Sequence, residues 1–169
     1  MDIHSQNEVT CSRLRSVSTS KNGVHAVAAA HNEIQQDSVG RNHFLGFIVK
    51  FADWTIYHSG DTIWHEGLVP NLLPHGIDIA FVPINGNKPE RRVAGNLNGT
   101  EAAALAKAVG ARLAIPHHFD MFTFNTESPE EFRSACERLG QPYKIIQNGQ
   151  HLSSTRIKAR KTTEVVEEE

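Results

Sequence analysis

Short apolar runs separated by polar turns fill most of the middle of this chain. Their lengths, and the alternation of apolar and polar positions in them, predict strands over residues 23–30, 43–51, 54–58, 77–84, 112–116, 143–147 and 151–155. The run from His43 to Phe51 is apolar at almost every position, which predicts a strand covered on both faces. A tight turn at Ala52 and Asp53 follows, so the strand from Trp54 to His58 completes a hairpin.

Two longer segments carry their apolar residues at helical spacing. The first begins at Thr100, which can cap a helix, and ends at Val109 before Gly110. The second has a predicted capping box of Ser128 and Glu131. It also has proline at its first position, and Gly140 follows its last turn. The apolar faces of the two predicted helices consist of Ala102, Leu105, Ala106 and Val109, and of Phe132, Ala135, Cys136 and Leu139.

Polar segments divide the chain into three parts. Residues 1–22 are polar and lack periodicity, which predicts an N-terminal arm. Residues 23–155 hold all the predicted strands and helices and form a single folded unit, with a polar loop over residues 32–42. Residues 156–169 are first basic and then acidic, which is typical of a disordered charged tail. Strands that alternate with helices predict an α/β or α+β fold.

Composition excludes several classes of function. The net charge of the 169 residues is −2, which gives no electrostatic basis for binding nucleic acid. No apolar run approaches the ~18 residues that a membrane-spanning helix needs. The two cysteines, Cys11 and Cys136, form no disulfide framework, and Cys136 lies on an apolar helix face. We therefore expect a cytoplasmic protein that binds neither nucleic acid nor membranes.

The candidate chemistry lies where predicted strands end. The chain has 10 histidines, and histidine is the commonest metal ligand in proteins. His31, Asp61 and His118 each follow the end of a predicted strand and enter a loop. Imidazole and carboxylate are ligands suited to a borderline divalent cation such as Zn²⁺ or Mn²⁺. Taken one at a time, each residue is better explained as a half-exposed histidine or as an Asx turn, so spacing alone leaves the question open.

A family resemblance favours the metal interpretation. The string YHSGDTIWHEGL, from Tyr57 to Leu68, resembles the YH-x-GDT segment of metallo-β-lactamase-fold enzymes similar to L-ascorbate-6-phosphate lactonase. The similarity continues in AAAH at residues 28–31, in VPINGN at residues 82–87 and in GNLNGTEAAALAKAVGARLAIPHHFDMF at residues 95–122. It covers roughly residues 23–149, in matching order and spacing.

The resemblance implies a fold and a site. The fold is the α+β four-layer αββα sandwich, of which this chain carries approximately the C-terminal half. The implied activity is metal-dependent hydrolysis of an ester or lactone bond in a small molecule, with lactone opening on a sugar phosphate as the specific expectation. The resemblance makes Asp61 the catalytic carboxylate that bridges two metals, which His31 and His118 complete. His118 is preferred to His117 because the family pattern reads Pro-x-His followed by an aromatic residue, here Phe119.

Further residues are assigned supporting roles. By resemblance, Asp120 lies near the site and orients His118. His58 either supports the site or packs in the core, whereas His65 and His117 are expected to line the cleft. Arg91 and Arg92 are candidates for binding a substrate phosphate, although a solvated surface loop is an equally good explanation for them.

One departure from the family pattern bears on activity. The signature His-x-His-x-Asp-His, which supplies four ligands in the family, is absent from this sequence. Three remaining ligands are few for a two-metal site, so we expect weak or incomplete binding of Mn²⁺ or Zn²⁺. Two hypotheses follow: a hydrolase completed by a chain that supplies the missing half, or a non-catalytic, truncated half-domain that binds a partner. An uncovered apolar face on the strand from Phe44 to Phe51 would favour a homo-oligomer or another partner.

Overall fold

The computed structural model describes residues 17–19 and 22–157. These residues form one six-stranded mixed sheet, in which the strands lie in the order of the sequence. The strands are β1 (Val17–Thr19), β2 (Asn22–Ala28), β3 (Leu45–Phe51), β4 (Trp54–His58), β5 (Ile79–Pro83) and β6 (Leu113–His117). β1 to β4 pair antiparallel, whereas β4, β5 and β6 run parallel. The predicted α+β fold class is therefore confirmed.

Helices cover one face of the sheet, which we call the inner face. They are α1 (Leu68–Leu72), α2 (Gly99–Ala108) and α3 (Glu130–Leu139). The core lies between them and the strands, where Ile48, Tyr57 and Val82 meet the apolar faces of α2 and α3. Cys136 is fully buried in this core, as its position on the predicted helix face indicated. The crossovers between parallel strands place α1 between β4 and β5 and α2 between β5 and β6.

The opposite face of the sheet, which we call the outer face, is only partly covered. Phe47 and Phe51 of β3 are 41% and 44% exposed, so the prediction that this strand is covered on both faces was wrong. Alternation explains the difference, because Ile48 points to the inner face while its neighbours point outward. Toward β6, the C-terminal segment lies across the outer face. An apolar cavity of ≈ 280 Å³ remains there, with Trp54, Phe81, Ile115 and Ile157 among the residues that line it.

Both helix starts differ from the sequence prediction. α2 is capped by Asn98 rather than Thr100, since the Asn98 side chain accepts from the Glu101 N–H and the Glu101 carboxylate accepts from the Asn98 N–H. α3 begins at Glu130 and has no side-chain cap, so the predicted capping box of Ser128 and Glu131 was wrong. The Glu131 carboxylate instead accepts hydrogen bonds from the backbone N–H and hydroxyl of Thr100, which joins the starts of the two helices. The contact of Glu131 with Thr100 of α2 therefore takes the place of the cap that was predicted within α3.

The chain ends also differ from expectation. The predicted strand over residues 143–147 contributes only an isolated bridge between Tyr143 and Ala114, and Ser154–Arg156 is a 3-10 helix rather than part of a strand. Within the predicted arm over residues 1–22, Val17–Thr19 forms β1 on the edge of the sheet. α1 was not predicted at all, because its five residues are too few to show helical periodicity. The charged tail predicted from residue 156 falls almost entirely outside the described residues.

Candidate metal centre

Four loops meet at one edge of the sheet. β4, β5 and β6 are parallel, so their carboxyl ends lie at the same edge, and the two antiparallel pairings bring the end of β2 there as well. His31 follows β2, Asp61 follows β4 and His118 directly follows β6. The three candidate ligands are therefore brought together by strand direction, although 30 and 57 residues separate them along the chain.

The Asp61 carboxylate lies between the two histidines. Its Oδ2 is 3.8 Å from Nε2 of His31, and its Oδ1 is 3.4 Å from Nε2 of His118. The interaction with His118 holds the pKa of Asp61 below its usual range, and the same interaction raises the pKa of His118. Each carboxylate oxygen thus faces a different imidazole, as expected of a carboxylate shared between two cation positions.

The backbone of the Asp61 loop is fixed by close approach to neighbouring strands. Gly60 has φ +60°, and a Cβ on it would lie 2.5 Å from the carbonyl oxygen of Leu45. A Cβ on Gly46 would lie 2.7 Å from the carbonyl oxygen of Ser59. Contacts this short leave room for glycine alone, so the Ser59-Gly60-Asp61 turn packs directly against the backbone of β3. The glycine of the sequence motif therefore positions the carboxylate that follows it.

Thr62 connects the Asp61 loop to the His31 loop. Its buried hydroxyl accepts the N–H of Ala30 at 3.0 Å and donates to the carbonyl of Ile63 at 2.9 Å. The Ile63 N–H in turn donates to the carbonyl of Ala30, and the Leu97 N–H donates to that of Thr62. The sequence analysis assigned Thr62 no role. Its position directly after the candidate aspartate is the one feature of the sequence that points to it.

His58 and His117 stack on the outer face beside Asp61. Their ring centroids are 4.7 Å apart, and His58 also stacks on Phe81. Burial, together with the neighbouring rings of His58 and His118, lowers the pKa of His117 to about 3. Burial also lowers the pKa of His58. Both rings are therefore neutral near pH 7, so they extend the apolar outer face up to the candidate site.

Hydrogen bonds define the tautomers of these two rings. The Gly60 N–H donates to Nδ1 of His58 at 3.1 Å, which leaves the proton of that ring on Nε2. The Ser59 hydroxyl donates its proton to the carbonyl of Gly60, so it can only accept a hydrogen bond from His117, whose Nε2 lies 3.3 Å away. The proton of the His117 ring therefore lies on Nε2. His65 lies nearer β2, where its Nε2 is 3.2 Å from the carbonyl oxygen of Ala28 and burial lowers its pKa.

Strained backbone marks the His118 loop. His118 and Asp120 have φ angles of +64° and +54°, which non-glycine residues seldom adopt. Nδ1 of His118 is buried without a hydrogen-bond partner among the described residues, so no carboxylate orients this ring through Nδ1. Asp120 is exposed, and its backbone N–H donates to the hydroxyl of Thr126. Asp120 therefore does not make the contact with His118 that the resemblance implied.

The two arginines differ in their surroundings. The guanidinium of Arg91 is largely buried and contacts the carboxylate of Glu127, the carbonyl of Asn85 and the carbonyl of Thr126. A largely buried guanidinium whose donors are occupied in this way is poorly available to a phosphate, although Lys88 shares the Glu127 oxygen. Arg92 is exposed on the left-handed residue after a short 3-10 helix. The structure thus favours a structural role for Arg91 over the predicted phosphate contact.

Comparison with known proteins assigns the family. The sequence matches the β-lactamase superfamily domain over residues 3–119, which is more than half of the chain. The chain belongs to the metallo-β-lactamase superfamily. It is 33% identical over 115 residues to a UPF0173 metal-dependent hydrolase of Rubrobacter xylanophilus, and 33% identical over 111 residues to one of Staphylothermus marinus. These alignments cover 65% and 64% of this chain, and 44% of each relative, so the chain spans less than half the length of the relatives it matches.

Solved structures of the metallo-β-lactamase fold support the same fold. The metallo hydrolase Igni18 of Ignicoccus hospitalis superposes with a TM-score of 0.61 at 20% identity, covering 77% of this chain and 52% of that protein. An isothiocyanate hydrolase from Delia radicum gut bacteria superposes with a TM-score of 0.63 at 14% identity, covering 80% and 55%. At these identities the likeness establishes the fold alone. The chain therefore represents about half of a metallo-β-lactamase domain, which confirms the predicted family and fold.

The donor set fits a divalent cation in kind but falls short in number. Two imidazole nitrogens and one carboxylate are suitable ligands, yet each carboxylate oxygen has only one histidine beside it. Across residues 17–19 and 22–157, no group of three or more His, Cys, Asp or Glu side chains converges into a complete metal-binding cluster. In the same residues, no helix has the length and apolar character needed to span a membrane.

Proposed function

We propose that this chain supplies part of the active site of a metal-dependent hydrolase that cleaves an ester or lactone bond in a small molecule. The observation that carries the proposal is the placement of Asp61 between His31 and His118, with one carboxylate oxygen toward each ring. The curated relatives of Rubrobacter xylanophilus and Staphylothermus marinus are described as metal-dependent hydrolases. The lactone preference rests on the family resemblance over roughly residues 23–149 alone.

The chain's own residues have distinct parts in this proposal. His31, Asp61 and His118 would hold Mn²⁺ or Zn²⁺, which supplies Lewis acidity toward a carbonyl group. Asp61 stays ionised near pH 7, because the interaction with His118 keeps its pKa low. His58 and His117 remain neutral, so the outer face next to the site carries no charge from these two rings. Thr62 and Gly60 hold the loops in register, which limits the motion of the carboxylate.

The remaining ligands would come from a segment seated on the outer face. The stacked rings of Phe81, His58 and His117 make this face continuous with the candidate site. A sheet with exposed Phe47 and Phe51 is stabilised when a second apolar layer packs on it. We propose that the part of the domain that this chain does not span, on another chain or in a longer polypeptide, packs there and completes the metal shell.

A second candidate function rests on the shortage of donors. With two donors for each cation position, the chain alone would act as a non-catalytic half-domain that binds a partner or a second copy through the outer face. The two candidates differ in what Asp61→Asn does. In the hydrolase it removes activity, whereas in a docking module it leaves association unchanged.

Complementation tests the proposed activity. The chain is mixed with the part of the Rubrobacter xylanophilus relative that it does not span, in the presence of Mn²⁺ or Zn²⁺. We expect hydrolysis of aryl esters or lactones by the mixture, and its loss in the Asp61→Asn chain while the two parts still associate. Association without hydrolysis under either metal would support the docking module instead. The cytoplasmic location stays a prediction from the two cysteines.

A further inference from the structure

An exposed aromatic segment follows the last candidate ligand. Residues 121–125, which we call the aromatic loop, begin three positions after His118. Met121, Phe122 and Phe124 are 59%, 50% and 60% exposed, and the two phenyl rings lie 6.0 Å apart at a 36° angle. Large apolar side chains this exposed are common at binding surfaces, because their burial on a ligand is favourable.

The aromatic loop is held in place by polar contacts at its base. The Asp120 N–H donates to the hydroxyl of Thr126 at 2.8 Å, which closes the loop. The Asn85 side chain donates to Oδ1 of Asn125 at 2.9 Å, and Arg91 donates to the carbonyl of Thr126 at 2.9 Å. A largely buried arginine thus anchors an exposed apolar loop, so the loop is held in a preformed position.

The loops that follow His31 and Asp61 also carry an exposed apolar side chain three residues after the candidate ligand. Ile34 lies three residues after His31, and Trp64 lies three residues after Asp61. Each is 40% exposed. Since each candidate ligand starts a loop at the same sheet edge, an exposed apolar side chain three residues later lies within ~11 Å of it along the chain. The candidate site therefore has apolar side chains on all three of its loops.

From these contacts we infer that the substrate of the proposed hydrolase carries an apolar acyl or aryl group, which lies on the aromatic loop against Phe122 and Phe124. This inference rests on the proposed function for the position of the reacting carbonyl. Phe122 and Phe124 determine specificity, and Arg91 is a positioning residue for their loop. A sugar phosphate fits less well at Arg91, because its guanidinium is largely buried and its donors are taken by Asn85, Thr126 and Glu127.

Binding of the product-like probes octanoate and acetate to the full chain without metal tests the inference independently of activity. Amide chemical shifts in ¹H–¹⁵N spectra locate each probe. We expect octanoate to shift residues of the aromatic loop together with Asp61 and His118. We also expect Phe122→Ala and Phe124→Ala each to weaken octanoate binding by about tenfold. Acetate binding should be weaker and unaffected by either substitution.

Two control variants test whether octanoate binds elsewhere on the chain. Leu73→Ala removes a side chain of similar exposure before β5, at the sheet edge opposite the candidate site, and we expect no effect. Phe51→Ala alters the lining of the apolar cavity on the outer face, and we expect octanoate binding to persist. Octanoate binding that is lost in Phe51→Ala and unchanged in Phe122→Ala would overturn the inference. So would inorganic phosphate that binds more tightly than octanoate and depends on Arg92.

The two proposals fail in different ways. A complex of this chain with the complementary part of the domain that does not bind metal through Asp61 contradicts the proposed function and leaves the octanoate result standing as a property of the loop. A chain that binds metal through Asp61, but shows no loop shifts with octanoate, contradicts the substrate class alone. Self-association of the chain through the aromatic loop, detected as loss of concentration-dependent sedimentation in Phe122→Ala, would overturn the inference as well.

Discussion

The hydroxyl of Thr62 accepts a hydrogen bond from the backbone N–H of Ala30, at a distance of 3.0 Å in the buried interior. Ala30 directly precedes His31 and Thr62 directly follows Asp61, so this bond fixes the spacing of two candidate ligands. We predict that Thr62→Val lowers the free energy of unfolding by about 1–3 kcal/mol, because the Ala30 N–H loses its partner. Urea unfolding measures the change, and Thr62→Ser should retain most of the stability. Equal losses in both variants would contradict the hydrogen-bond explanation.

A second prediction concerns the turn before Asp61. Gly60→Ala should destabilise the fold by about 2 kcal/mol more than Gly40→Ala, since a Cβ at Gly60 meets the Leu45 carbonyl oxygen at 2.5 Å. Gly40 is the matched control, because its φ is +79° and no atom lies within 4 Å of the position that a Cβ would take there. Thermal and urea unfolding of the two variants give the difference. Similar stabilities would show that the turn adjusts easily, which would weaken the case for a fixed Asp61.

The apolar pattern shows that His31, Asp61 and His118 follow predicted strands, but that pattern alone does not make them metal ligands. The family resemblance singled them out as candidates, and the structure brings the three side chains to one sheet edge. Arg91 was not predictable in the same way. Its contacts with Glu127 and Thr126 cross 36 and 35 residues of the chain, and no local pattern encodes them.

The helix starts show the same limit. The sequence predicted Thr100 as the cap of α2, whereas Asn98 caps the helix and Thr100 binds Glu131 of α3. The strand predicted over residues 143–147 has the right alternation, yet only Tyr143 pairs with β6. Local sequence therefore determines the type of most elements, whereas tertiary contacts set their ends.

A third prediction separates the roles of the two arginines. Arg91→Ala should lower the free energy of unfolding by about 1–3 kcal/mol, because one carboxylate and two carbonyls lose a largely buried donor. Arg92→Ala should change stability by less than about 0.5 kcal/mol, as expected of an exposed side chain. Denaturant unfolding of both variants measures the contrast. A larger effect at Arg92 than at Arg91 would contradict the assigned contacts.

A fourth prediction follows from the buried thiol. Burial raises the pKa of Cys136 to about 12. In a Cys11→Ser chain, which leaves one thiol, native Cys136 should react with a disulfide reagent far more slowly than in denaturant, at pH values of about 8 and about 9.5. The folded pKa lies above the unfolded value of 9.0, so this group's contribution to stability is complete below pH 9 and is lost as the pH rises from 9 toward 12. Rapid native reaction at the lower pH would contradict the burial of this side chain.

The most direct test of the central claim is metal affinity. Calorimetric titration of the chain with Mn²⁺ and with Zn²⁺, alone and after addition of the complementary part of the Rubrobacter xylanophilus relative, measures whether His31, Asp61 and His118 act as ligands. We predict weak binding by the chain alone and at least tenfold tighter binding by the complex, lost in Asp61→Ala and in His118→Ala and retained in His75→Ala. Binding that is unchanged by Asp61→Ala in the complex would contradict this prediction.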